Sequence, residues 1–443
     1  MQNALAKEFR FGSLLKFALP TIIMMLFLSL YTMVDGIFVS RFISTTALSA
    51  VNIVYPAINV VMAVGIMLAT GSSAVIARKM GEGKDTEAKE NFTFIILVGI
   101  VSGLVITLLI AIFIDPLLHF LGANEAVYDF SREYAEGLFI FAAPAIVQAL
   151  FQSLFVTAGK PMIGLFATVA GGIANIFLDY LFIVTLDMGI AGAAYATGIG
   201  YCIPAVFGIL YFAINKKGTL YFIRPKFDGR MLFHSCTNGS SEMVTNISLA
   251  VTTLLFNLVM MDYRGEDGVA AITIVMYAQF LLVAVFLGYS TGVAPVISYK
   301  YGYGDHPQLK KVFHISMAFV ILCSVIAFLA AFFGAPAIVG VFSPSGTEVY
   351  AFTLHGFKLF AISYFFTGVN IFASSLFTAF SNGKVSALIS FLRTLVFLVG
   401  CILLLPMVWG IDGVWLSVPA AEALAVVVSI LFLYRKRKVY HYA

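Results

Sequence analysis

The amino-acid sequence predicts an all-α polytopic membrane protein with twelve transmembrane helices arranged as two six-helix bundles. Two observations predict this fold. The chain of 443 residues is 61% hydrophobic and only 11% charged, with a mean hydropathy of +1.00, which no soluble globular domain of this length approaches. In addition, the two halves of the chain resemble one another at a fixed offset of 221 residues.

The first observation rests on twelve apolar runs, each long enough to cross a bilayer as a helix. Uninterrupted runs of this length exclude a transmembrane β-barrel, whose strands are short and alternate in hydrophobicity. We place the spans at 15–40, 50–76, 92–114, 133–157, 162–186, 190–214, 235–261, 269–297, 312–335, 351–380, 385–408 and 414–434.

The second observation, the internal repeat, extends over loops as well as spans, and chance matching would not keep one offset throughout. Internal duplication of a hydrophobic bundle is typical of secondary transporters, which bind their substrate between the two halves. Because each half has six spans, the axis that relates them should lie along the membrane normal. The matched positions are Gly71 and Gly292, Lys79 and Lys300, Gly81 and Gly302, Gly83 and Gly304, and 189–192 and 410–413.

The longest polar stretch of the chain divides it into two lobes. We expect an N-lobe at 1–214, a cytoplasmic connector at 215–234 and a C-lobe at 235–443. If the N-terminus is cytoplasmic and the spans alternate, 21 of the 26 lysines and arginines fall on the cytoplasmic side. This asymmetry predicts an inner-membrane protein with both termini in the cytoplasm.

The formal charge of +4 then reflects topology and contact with lipid headgroups, and nucleic acid is not expected as a partner. The four cysteines lie singly, without the spacing of a metal site, and no P-loop is present. We therefore predict no cofactor, no use of ATP and no obligate protein partner. Residues 1–14 are polar and basic, unlike a cleavable signal peptide.

Ionisable residues inside a membrane span are costly, and they therefore indicate function. Asp35 lies toward the outer end of the first span, fifteen residues after Pro20, which should kink the helix. A simple interfacial position for Asp35 is the alternative.

The strongest candidate site is the pair Asn175 and Asp179 in the fifth span. Their spacing places both side chains on one face of a helix, one turn apart. Amide and carboxylate oxygens on one face suit a hard monovalent cation or a protonatable carboxylate. A structural hydrogen bond between helices is the alternative. The glycines at 171 and 172 should let another helix approach closely.

The C-half carries weaker candidates. Glu242 in span seven is a candidate for a second acidic site or for a wall of the cavity, with Arg393 as its expected partner, and Glu422 is a weaker candidate still. Aromatic and polar side chains that face a cleft would bind varied substrates. Our candidates for this substrate cavity are Tyr31, Phe155, Tyr277 and Asn370.

These motifs together resemble the multidrug and toxic compound extrusion (MATE) family, particularly its DinF-like and MepA-like bacterial and archaeal members. The motifs are Tyr-x3-Asp in span one, Asn-x3-Asp in span five and Gly-x-x-Gly-Ala-Ala-x-Ala-Thr at 189–197. The resemblance covers essentially the whole chain and implies a V-shaped pair of lobes and the export of cationic, amphipathic compounds, coupled to H⁺ or Na⁺. It also implies involvement in antibiotic resistance.

The resemblance further implies particular residues for the coupling site. Asp35, Asn175, Asp179 and Thr197 would form an N-lobe site for a proton or a sodium ion, and Pro20 would be the point at which helix one bends. Some family members use an acidic residue like Glu242 together with an aspartate in span ten, where this chain has Asn370. This difference shifts the expected coupling site to the N-lobe.

Two other functions fit parts of the sequence. A flippase for a lipid-linked saccharide would share the fold, but its anionic cargo calls for basic residues in the cleft, and the N-half has acidic ones. An intramembrane aspartyl enzyme would use two membrane aspartates, but Gly-x-Gly-Asp is absent, as are the common hydrolase motifs. The sequence therefore favours a transporter that is not an enzyme.

Overall fold

The structure is a computed structural model that describes residues 4–443, except for the side chains at positions 32, 33, 35–37, 40, 41 and 45. The described chain is built of helices. Their bounds are α1 Phe11–Phe42, α2 Thr45–Gly81, α3 Asp85–Phe120, α4 Glu125–Phe139, α5 Ala142–Thr157, α6 Pro161–Asp179, α7 Gly189–Ile214, α8 Gly229–Tyr303, α9 His306–Phe342, α10 Glu348–Ala361, α11 Tyr364–Ala379, α12 Gly383–Phe391, α13 Leu398–Trp409 and α14 Ile411–Tyr440. Two π-helical segments, Tyr180–Thr185 and Leu392–Phe397, continue α6 and join α12 to α13.

The helices account for the twelve predicted spans. Within the described residues, nine helices are long and apolar enough to cross a membrane, and two bent pairs raise the number to eleven. The bent pairs are α4 with α5, at 55°, and α10 with α11, at 50°. The twelfth span comes from α8, which is in fact two helices.

A break at Gly265 divides α8. An unbroken helix of its 75 residues would be about 110 Å long, several times the ~30 Å of the hydrocarbon core. Gly265 has φ 59° and ψ −144°, a conformation open to glycine because it has no Cβ. The chain therefore turns back at this point, and α8 supplies spans seven and eight.

The internal repeat is visible in the backbone. Gly83 and Gly304 end α2 and α8 with φ of 75° and 78°, and Gly189 and Gly410 begin α7 and α14 with φ of 59° and 55°. Each pair is separated by the offset of 221 residues seen in the sequence. The two lobes therefore share one fold, as predicted.

The lobes meet mainly through α1, α2 and α8. At the ends of α2 and α8, which carry Arg78, Lys79 and Lys300 and which we call the basic end, Gly81 packs on the backbone of Tyr299. Its counterpart Gly302 packs on the backbone of Arg78. The two contacts are exchanged by the offset of 221 residues, as a pseudo-twofold axis requires.

The outer surface of the bundle is apolar, as expected for contact with lipid. On α3 the exposed side chains include Val101, Leu104, Val105, Leu108 and Ile112. Their spacing of three or four residues forms a continuous stripe along one helix face. A stripe of this length and composition is favourable in lipid and unfavourable in water.

The connector packs against the N-lobe. Its first part, 215–228, is not helical, and α8 begins at Gly229, six residues before the predicted start of the C-lobe. Leu220 is buried, and the ring of Phe222 lies 5.3 Å from that of Phe92 on α3. Helix α1 runs from Phe11 to Phe42 as one helix with Pro20 inside it.

Candidate functional site

The candidate site lies where α1, α6 and α7 meet in the N-lobe. A Cβ on Gly171 would overlap the carbonyl oxygen of Gly200, and a Cβ on Gly172 would overlap the ring of Phe27 on α1. The two glycines therefore allow α7 and α1 to approach α6 on two sides. This close approach was predicted from the glycines, and it brings residues of three helices together.

A small cavity lies between these helices, with a volume of about 10 Å³, which is about the space that one water molecule needs. Its lining is mixed, because polar groups from α1, α5, α6 and α7 face it together with apolar ones. The lining residues are Leu28, Tyr31, Gln148, Thr168, Gly171, Gly172, Asn175, Thr197, Gly200 and Tyr201.

Asn175 and Thr197 are joined across this cavity. The side-chain amide of Asn175 donates to the hydroxyl oxygen of Thr197 at 3.4 Å, and both residues are buried. The amide oxygen of Asn175 has no hydrogen-bond partner among the described groups. A buried acceptor of this kind is costly unless it receives a proton donor or a cation, so the site has room in its chemistry for one.

Asp179 follows Asn175 by one helical turn and is fully buried, with 0% of its surface exposed. It is the last residue of α6, and the π-helical segment Tyr180–Thr185 begins directly after it. Such segments occur frequently at functional sites because they change the direction of side chains without ending the helix. Asp35 lies one turn after Tyr31 along α1, and its side chain is outside the described residues.

The chemistry of this site is that of an oxygen-rich, buried acidic group. A carboxylate removed from water is stable only when it is protonated or when it is neutralised by a cation. The amide oxygen of Asn175 and the hydroxyl of Thr197 are hard oxygen donors that suit Na⁺, and they can also accept a hydrogen bond from a protonated carboxyl group.

Sequence reasoning missed three polar residues of the cavity, Gln148, Thr168 and Tyr201. Gln148 had a signal, since a glutamine that is 6% exposed interrupts the otherwise apolar α5. Thr168 and Tyr201 had none, because threonine and tyrosine are common in spans for packing reasons.

The four candidates for the substrate cavity have different surroundings. Tyr31 lines the N-lobe cavity, and Tyr277 is 42% exposed and stacks on Phe342 at 6.1 Å. The structure instead places Phe155 in the core, where its ring lies 4.9 Å from that of Phe212. Asn370 is likewise buried, with 0% of its surface exposed.

The C-lobe contains a buried ion pair that corrects the expected partner of Arg393. Arg393 binds Glu422 on α14, with distances of 2.9 Å from Nε and 2.7 Å from Nη2 to Oε1. Asn370 donates to Glu422 Oε2 at 2.7 Å and accepts from Ser429 at 2.8 Å. The expected pair of Arg393 with Glu242 is therefore wrong, and the acidic residue judged weakest from the sequence is the bound one.

We expect Asn370→Leu to lower the stability of the fold more than Asn175→Leu does. Leucine at position 370 would leave Glu422 Oε2 and the hydroxyl of Ser429 each without a partner, at a cost of about 1–3 kcal/mol. Thermal melting of the purified protein measures this loss. Asn175→Leu is the matched control, since it should damage ion coupling with a smaller shift in Tm. Equal melting temperatures for Asn370→Leu and the wild type would contradict the role of Asn370.

Comparison with known proteins gives consistent matches over the whole chain. The family model MatE matches residues 20–181 and 243–403, one match in each lobe. A multidrug export protein, MepA, of Staphylococcus saprophyticus is 22% identical over 431 residues, which cover 96% of this chain and 94% of the relative. MepA of Staphylococcus aureus is 24% identical over 430 residues, with the same coverage.

Solved structures show the same fold. An outward-facing multidrug resistance MATE transporter of the MOP superfamily superposes with a TM-score of 0.93 at 22% identity, covering 100% of this chain and 99% of the other. A MOP superfamily transporter from Pyrococcus furiosus superposes with a TM-score of 0.92 at 22% identity, covering 99% of each chain. That transporter is described as having a binding pocket of reverse polarity, which suggests a different function for it.

Proposed function

Because the chain belongs to the MatE family, we propose that it is a secondary active multidrug exporter that exchanges cationic, amphipathic compounds for H⁺ or Na⁺. The relatives named as multidrug export proteins align with almost the whole chain, which supports this cargo class. As a member of this transporter family with many apolar helices, the chain is a multi-pass membrane protein and not an enzyme.

The observation that carries the proposal is the buried acidic site of the N-lobe. Asp179 is fully buried beside Asn175, whose amide oxygen lacks a partner among the described groups. We assign Asp35, Asn175, Asp179 and Thr197 to binding of the coupling ion. An empty, ionised site is costly in a dry cavity, so the site must hold a proton, a sodium ion or a cationic substrate. This requirement enforces exchange.

The energetics fit a cationic cargo. Export of a monovalent cation from a cell with a negative interior costs about 2.3 kcal/mol per 100 mV. One H⁺ or Na⁺ that enters in exchange returns the same electrical energy. The concentration gradient of the entering ion is then the net driving force, and no ATP is needed.

We place the protein in the cytoplasmic membrane with both termini in the cytoplasm. The basic residues at the ends of α2, α8 and α14 support this orientation, since they would face the cytoplasm and the anionic lipid headgroups there. In the same orientation, the lobes of this structure are in contact on the cytoplasmic side, through Gly81 and Gly302.

We expect everted membrane vesicles that contain the protein to accumulate an ethidium-like dye when either ΔpH or ΔNa⁺ is imposed. The two gradients are imposed separately, and the one that drives transport identifies the coupling ion. Vesicles without the protein are the control.

Three results would contradict the proposal. Dye transport that persists after both gradients are collapsed would exclude antiport, and so would transport that depends on ATP in their absence. Preference for anionic cargo would instead favour a flippase for lipid-linked saccharides. The paired state of Arg393 argues against that cargo, because a guanidinium bound to Glu422 has little charge left for an anion.

A further inference from the structure

The Arg393–Glu422 pair is a closed, charge-neutral unit inside the C-lobe. The two side chains are 13% and 7% exposed. Both oxygens of Glu422 receive donors, because Arg393 Nε lies 2.9 Å from Oε1 and 3.1 Å from Oε2, and Asn370 donates to Oε2. The guanidinium is therefore fixed on α14 by a geometry that satisfies the carboxylate completely.

Glu242 is the contrasting carboxylate. In the part of the chain that the structure describes, its side chain makes no hydrogen bond, and Arg393 is the charged group that acts on it through space. Thr394, the residue after Arg393, donates to Ser248 on α8 at 3.0 Å. Since Glu242 precedes Ser248 by six residues, or about 9 Å of helix, the guanidinium lies within Coulomb range of two carboxylates and binds one of them.

We propose that Glu422 is a positioning residue that holds Arg393 away from Glu242 and so keeps the charge of Glu242 available to a cation. This inference rests on the proposed export of cationic compounds and names a determinant of that preference. Glu422 and Arg393 cancel each other, and the lobe then keeps the negative charge of Glu242. Without Glu422, the guanidinium would neutralise Glu242 and repel a cationic cargo.

The consequence of breaking the pair differs from that of removing it. Loss of one partner leaves a buried charge without compensation, whereas replacement of both by apolar residues of similar volume is often tolerated. Glu422→Gln should therefore release Arg393. The double variant Arg393→Met with Glu422→Met should leave Glu242 as charged as in the wild type.

The test measures binding of two aromatic probes of similar shape to the purified full-length protein. Tetraphenylphosphonium is cationic, and triphenylphosphine oxide is neutral. We expect Glu422→Gln to weaken tetraphenylphosphonium binding by about tenfold or more while the neutral probe changes by less than about twofold. The double variant should bind tetraphenylphosphonium within about threefold of the wild type. Melting temperatures are recorded for every variant.

The outcomes separate this inference from the proposed function. Equal weakening of both probes by Glu422→Gln, or no recovery in the double variant, would show that the pair is only structural. If Glu422→Gln does not fold, Arg393→Met alone decides, since loss of the guanidinium should not weaken tetraphenylphosphonium binding. A wild-type protein that binds no cation would overturn the proposed function and this inference together.

Discussion

We expect Asp179→Asn to reduce export of a cationic dye to background while the protein still reaches the membrane in normal amounts. Asp179 is fully buried, so its charge must be neutralised in each state of the cycle by a proton, an ion or a substrate. Asparagine has nearly the same shape but cannot change its charge, and the exchange step is lost. Asp35→Asn should have the same effect, for the same reason. Dye efflux from cells or vesicles measures both.

The matched control for this prediction is Asp187→Asn. Asp187 follows the same π-helical segment but is exposed to solvent, and its φ of 51° is a conformation that asparagine accepts well. It should export dye at the wild-type rate. If Asp179→Asn also exported at that rate, Asp179 would not couple transport.

Protein stability distinguishes a coupling role from a structural one at the same position. Burying an ionised carboxylate is unfavourable, so its replacement by a neutral amide should leave Tm unchanged or raise it. A structural Asp179 would behave in the opposite way, and Asp179→Asn would then lower both Tm and the amount of protein in the membrane.

The spans and the repeat could be predicted from the sequence because each depends on a strong local signal. Membrane spans require long apolar runs, and duplicated glycines mark positions where the backbone needs a residue without a side chain. Gly83 and Gly304 show this, since both end a helix with positive φ. The bends between α4 and α5 and between α10 and α11 were not predicted, because packing within each lobe sets them.

The candidate site was predictable only where its residues lie on one helix. Asn175 and Asp179 share a face of α6 by their spacing alone, whereas Thr197 came from the family resemblance. The partner of Arg393 could not be derived, because Glu422 lies 29 residues away on another helix and Glu242 was an equally good choice by charge. Which of two carboxylates an arginine binds depends on helix packing, and a single sequence does not contain that information in readable form.

The second large effect is expected at the basic end, where Gly81→Leu should abolish export by preventing the lobes from closing. A Cβ at position 81 would overlap the carbonyl oxygen of Tyr299, and one at Gly302 would overlap that of Arg78. Backbone atoms inside two long helices cannot move aside as a flexible side chain can. Because the two contacts are exchanged by the pseudo-twofold axis, Gly302→Leu should have the same effect.

The position of the lobes can be measured through a cysteine at Ser235, in a protein whose native cysteines are replaced. Ser235 is fully buried, and its backbone packs on Gly71 of the opposite lobe, so maleimide labelling should be slow while the lobes are closed. Gly81→Leu should accelerate labelling and stop dye export. Gly12→Leu is the matched control, because Gly12 lies in the first turn of α1, which also starts at the basic end, and has open space around it. If Gly81→Leu exported dye normally with Ser235→Cys still protected, the contact between α2 and α8 would not be the closing surface of the transporter.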